Sequence, residues 1–172
     1  MSTLAKNKRS DQEVYSDHHT NPWTYPMMIG LYAGIIWGGL RWVFYQIKFT
    51  TVLPGFIGDP FFKQSFLRTG WGELAGVGCY VVFSIAAALL YRLVLGKLRG
   101  PWPGIGYGVF WWALIFLLLG PMLGMTASIT KSGWNTLFTE ICVFILWGLF
   151  VGYSIAFEFT DEASREPIPA PT

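Results

Sequence analysis

The sequence predicts an all-α, polytopic membrane protein: a bundle of four transmembrane helices. Three observations carry this. Four apolar stretches, 27–47, 71–95, 103–123 and 134–157, each approach or exceed the roughly 20 residues a helix needs to cross a hydrocarbon core about 30 Å thick. Of 172 residues, 53% are hydrophobic and only 13% charged, against about 25% charged in ordinary soluble domains; that is too little charge to coat a soluble core. Glycines also recur at four-residue spacing within the stretches, the pattern that lets membrane helices approach closely.

Taken in order, residues 1–22 are polar and mixed in charge and read as a disordered cytoplasmic tail. Trp23 and Tyr25 mark an approach through the headgroup region. The first span carries Gly30, Gly34 and Gly38 and, with no small-residue cleavage site after it, reads as an anchor. The loop 48–70 contains Asp59-Pro60, a helix-start signal, followed by Phe62 and Phe66 one turn apart. A short helix lying in the outer interface, aromatic side toward lipid, is expected there. Gly72 and Gly76 open the second span, Gly104 and Gly108 the third, and Gly148, Gly152 and Ala156 close the fourth. Pro167, Pro169 and Pro171 rule out continued helix in 159–172, the second disordered tail. The membrane domain is thus 23–158.

The two halves look alike. Gly30-x-x-x-Gly34-x-x-Trp37 is matched by Gly104-x-x-x-Gly108-x-x-Trp111. Thr69-Gly70-Trp71, with Cys79 eight residues after the Trp, is matched by Ser132-Gly133-Trp134, with Cys142 eight after. Two tandem helical hairpins, related by an axis along the membrane normal, would produce this pattern.

Charge sets the expected orientation. Lys6, Lys8, Arg9, Arg92, Lys97, Arg99 and Arg165 fall on one side of an even number of spans, and Lys48, Lys63, Arg68 and Lys131 on the other. The richer side is expected to be cytoplasmic, with both termini there and the bundle in the plasma membrane. A net charge of +2 gives no reason to expect a nucleic-acid partner. Lipid is the expected solvent, with other membrane proteins or a second copy as candidate partners.

Three ionisable residues lie within the spans: Arg41, Glu73 and Glu140. Arg41 and Glu140 sit on the order of 9–10 Å inside the outer boundary, with Glu73 shallower. Charges at that depth need partners, so Arg41 is expected to pair with Glu140. One reading is an ion- or proton-responsive site formed by all three, as in a small transporter or channel. The other is a polar clamp between the first and fourth helices, with Arg41 snorkelling to the outer headgroups. The clamp, within a structural or partner-binding membrane component, is the favoured expectation.

An enzyme ranks third. The only histidines, His18 and His19, lie in the tail, so no span offers an imidazole base or zinc-type ligands. No span contains an Asp, and Ser84 and Ser154 lack an activating base at membrane depth. The Gly104-x-Gly106-x-Gly108 run lacks the lysine and hydroxyl of a phosphate loop. No catalytic residue, cofactor or metal is expected. Cys79 and Cys142, inside helices, read as small hydrophobes.

Several short motifs carry a resemblance. They are Phe44-Tyr45 followed by Phe49-Thr50, the opening Gly70-Trp71, the run Trp102-Pro103-Gly104-Ile105-Gly106-Tyr107-Gly108, the opening Trp134-Asn135-Thr136, and Gly152-Tyr153-Ser154-Ile155-Ala156-Phe157-Glu158. Over about 36–158 the chain resembles the YqhR-type conserved membrane proteins of spore-forming Gram-positive bacteria. The resemblance implies a small multi-span plasma-membrane protein and brings no catalytic residues with it.

Overall fold

In the computed structural model, residues 23–96, 98, 100–125 and 133–159 are described. Residues 1–22 and 160–172 of the expected tails, with His18 and His19, and the cations Lys6, Lys8, Arg9, Lys97, Arg99, Lys131 and Arg165 lie outside them, while Phe159, expected in the second tail, ends the last helix. Four long helices match the four apolar stretches: α1 (Thr24–Gln46), α3 (Gly70–Leu95), α4 (Trp102–Met122) and α5 (Trp134–Phe159). A single-turn helix, α2 (Gln64–Leu67), lies in the first loop. Between 28% and 50% of each long helix's most apolar window is buried, α5 being the most enclosed. The remainder presents Leu, Ile, Val, Phe and Trp outward, as a bundle solvated by lipid does and a water-soluble one does not.

The ends follow local chemistry. Helix α1 starts at Thr24, earlier than the apolar stretch suggests, because Pro26 falls in the first turn where a missing N–H costs nothing. It stops in a left-handed turn. Lys48 takes φ 57°, its N–H bonds Tyr45 O at 3.0 Å, and Phe49 N–H bonds Phe44 O at 2.8 Å. The Phe44 and Phe49 rings then meet at 5.4 Å. This is the paired C-terminal stop that usually carries glycine at the left-handed position, with its accompanying hydrophobic contact. Thr69 caps α3, its Oγ1 accepting from Gly72 N–H at 3.2 Å. Residues Leu114–Leu119 of α4 are wound as a π-helix, and this register brings the adjacent Ile115 and Phe116 both into the core.

The first loop departs from expectation in two ways. Its helix begins at Gln64, not at Asp59-Pro60. The chain instead makes a 3₁₀ turn at Phe56–Gly58, and Phe61 and Phe62 N–H both bond Gly58 O, at 2.8 and 2.9 Å. That occupies the backbone a helix from Pro60 would use. Phe62 and Phe66 do pair on the surface, with rings 5.8 Å apart, as the expected aromatic face requires. The larger departure is inward: Val52, Leu53 and Phe56 are each 5% exposed or less. Residues 50–58 fold into the bundle as a plug.

Glycine packing organises the interior. A Cβ on Gly34 would stand 2.6 Å from Val81 Cα, and one on Gly30 2.6 Å from Ile85 Cα. In the second hairpin Gly108 abuts Phe144 and Gly104 abuts Gly148. The correspondence that aligns Gly34 with Gly108 and Cys79 with Cys142 also aligns Val81 with Phe144 and Ile85 with Gly148. Both hairpins therefore pack in one register. Gly72 and Gly76 serve a different neighbour, the loop: Gly72 backs onto Phe66 and Leu67, and Gly76 onto Gly55. Gly38 rests on Val77 and Tyr80, while Gly152 lies against Gly104 and Tyr91.

Candidate functional site

The most chemically loaded place in the bundle is the Arg41–Glu140 ion pair between α1 and α5. The sequence expects this pairing, and the reason is solvation: a guanidinium and a carboxylate at one depth in hydrocarbon relieve each other's desolvation. The expected snorkelling does not occur. Arg41 is 3% exposed and Glu140 1%, because the plug closes the outward route an arginine stem would take.

The pair is enclosed from three directions. The Arg41 guanidinium carbon lies 4.4 Å from the Phe56 ring centroid, 5.1 Å from that of Phe144 and 5.3 Å from that of Tyr80. Three π faces around a cation add attraction in a dry site. Phe56 comes from the loop, Tyr80 from α3 and Phe144 from α5, so every wall but α4 contributes.

On the carboxylate side, Thr50 Oγ1 donates to Glu140 Oε1 at 3.0 Å, leaving Oε2 to Arg41. Thr50 Oγ1 also accepts from Val52 N–H at 3.3 Å. One turn before Glu140, Thr136 Oγ1 contacts Thr51 Oγ1 at 3.3 Å and accepts from Thr51 N–H at 3.4 Å. Two consecutive threonines thus stitch the start of the plug to α5. The left-handed stop at Lys48 makes this possible, since it reverses the chain within two residues of leaving α1.

Glu73 stands apart. Its Oε2 accepts from Trp42 Nε1 at 2.9 Å and Gln46 Nε2 at 2.8 Å, in an exposed setting. Trp42 and Gln46 share one face of α1, and Arg41, one residue back, points about 100° away into the core. The structure therefore brings two of the three intramembrane charges together and gives the third its own partners. Glu73 also sits in the first turn of α3, where the helix dipole favours a carboxylate.

The residues that sequence reasoning missed are Thr50, Thr51, Thr136 and Phe56. Gly72 and Gly76 are where the first loop rests, but each of the other spans carries a small-residue face as well, so the sequence does not single out the loop as their neighbour. Among the described residues, no three His, Cys, Asp or Glu side chains converge to hold a metal. Chemically, the arrangement can hold helices together and resist water. It presents no open face to a substrate.

Comparison with known proteins agrees with this picture of a helical membrane protein. The model of a family described as conserved membrane protein YqhR matches residues 6–168, extending the resemblance into both tails. A Bacillus subtilis (strain 168) protein named "Uncharacterized protein YqhR" is similar to this chain. It is 36% identical over 137 residues, covering 80% of this chain and 77% of its own. No solved structure matches the chain. With most of its length covered by the family and four helices of membrane-spanning length and composition, the chain belongs to the YqhR family of conserved membrane proteins.

Proposed function

We propose that the protein is a structural or partner-binding component of the plasma membrane, with both termini cytoplasmic and its ion pair acting as an internal clamp. One observation supports this over transport: Arg41 and Glu140 are 3% and 1% exposed, with the plug stitched over them by Thr50 and Thr51. A carrier or channel needs water to reach its charged site, and here aromatic rings take that place. The seven-to-four division of cations supports the orientation.

Proteoliposomes holding an imposed pH or potassium gradient test the reading. Gradients should decay no faster than in protein-free vesicles. Faster decay that a Glu140→Gln change abolishes would overturn the clamp in favour of an ion or proton path.

A further inference from the structure

The clamp takes up Arg41 and Glu140 and leaves Glu73, which stands beside a groove. Glu73 Oε2 accepts from Trp42 Nε1 at 2.9 Å and from Gln46 Nε2 at 2.8 Å. Both donors are neutral, so they fix the carboxylate without balancing its charge. Among the described residues no Lys or Arg pairs with it. A groove of about 410 Å³ between α1 and α3 is lined by Glu73, Trp42, Gly39, Ile35, Leu74 and Val77. Along α1 it extends from Trp42 back to Ile35, roughly 10 Å at 1.5 Å per residue. Gly38 packs on Val77 and Tyr80, whereas a Cβ on the next residue, Gly39, would meet nothing within 4 Å. Glycine inside a helix weakens it, and this one leaves the groove open and serves no helix contact.

From these features we propose that the α1–α3 groove binds one phospholipid with a primary-ammonium headgroup, the ammonium donating to Glu73 and an acyl chain lying against Gly39, Ile35 and Val77. Charge complementarity selects the occupant. A carboxylate with no cation of its own attracts an ammonium and repels an anionic headgroup. The two neutral donors occupy Oε2 and leave Oε1 to the ligand. Depth agrees with this choice. Glu73 lies in the first turn of α3, near the exposed Trp71 and Trp42, and indole rings settle at headgroup level. Ile35 and Val77 lie deeper in their spans. The groove is thus polar at its headgroup end and apolar toward the bilayer interior, in the same order as a phospholipid.

Native mass spectrometry of the full chain, purified after exposure to equimolar phosphatidylethanolamine and phosphatidylglycerol of matched acyl chains, tests the site. One phosphatidylethanolamine should be retained per protein, preferred about two- to fivefold, the scale of one exposed ion pair. Glu73→Gln keeps an acceptor for Trp42 and Gln46 but removes the charge, so it should erase the preference and leave chain binding. Gly39→Leu fills space where a Cβ meets nothing within 4 Å and should abolish retention. Equal retention of both lipids by the parent chain, a preference that survives Glu73→Gln, or retention unchanged by Gly39→Leu overturns the site. A dimer mass lost in Gly39→Leu overturns it in favour of a second copy as the occupant. Neither charge of the clamp lines this groove, so the gradient assay above holds or fails independently of these outcomes.

Discussion

Trp147 Nε1 donates to Ser84 Oγ at 2.9 Å in the centre of the bundle, and the two residues occupy corresponding positions of the two hairpins. Both are fully buried. The two hairpins thus meet at matched positions with different chemistry, an indole donor from one and a hydroxyl acceptor from the other. Phe83 stacks on the same indole at 5.7 Å, so the bond sits within an aromatic layer that ties the hairpins together.

Ser84→Ala should therefore leave the Trp147 N–H without its acceptor and lower stability by about 1 kcal/mol, the scale of hydrogen bonds between membrane helices. Thermal unfolding in detergent reads this as a reduced Tm. Trp147→Phe should cost more, since it also removes core volume.

The ion pair makes a sharper prediction because its members are not separable. Glu140→Leu strands a buried guanidinium and should destabilise by about 3–5 kcal/mol, as should Arg41→Met, which strands the carboxylate. Arg41→Met combined with Glu140→Leu removes both charges and should recover most of the loss. The double-mutant cycle, followed by Tm, checks this. Additive losses would mean the two side chains are not coupled.

Lys48 offers a change in the opposite direction. Its φ of 57° is a conformation that costs a non-glycine residue about 1 kcal/mol or slightly more. Lys48→Gly should be neutral to stabilising by up to about 1 kcal/mol, and Lys48→Val clearly destabilising. A lower Tm for the glycine variant would contradict the helix-stop reading.

Gly76 is where the plug rests. A side chain there would run into the Gly55 backbone, so Gly76→Leu should lift residues 50–58 and expose the pair beneath. Protease nicking in the loop, slow in the parent chain, should accelerate in this variant. Gly78→Leu, on open surface, should leave it unchanged.

What the sequence made legible follows from how strongly each feature is constrained. The four spans were readable because lipid demands long apolar helices, and the Arg41–Glu140 pair because a charge at depth demands a partner. The plug was not. Val52-Leu53-Pro54-Gly55-Phe56 is too short to show a period, and apolar residues beside a membrane are equally at home in lipid. Glu73 shares with Arg41 and Glu140 only that it is an ionisable residue within a span. Its placement depended on the rotation of α1, which sends the adjacent residues Arg41 and Trp42 to different faces. Matched motifs likewise suggest matched seams, yet the α1–α5 seam holds an ion pair where the α3–α4 seam has Ile115 and Val77 at the corresponding positions.

The most direct test of the sealed clamp is the reactivity of a cysteine beside it. Val143, one turn from Glu140 and 3% exposed, is changed to Cys in a chain whose Cys79 and Cys142 are both Ala, and treated in intact and opened membranes with a membrane-impermeant maleimide. Phe61→Cys, at a site 82% exposed in the first loop, serves as the accessible reference. Labelling at 61 with none at 143 from either side is the expected result; labelling at 143 comparable to that at 61 would mean water reaches the pair and the clamp is not closed.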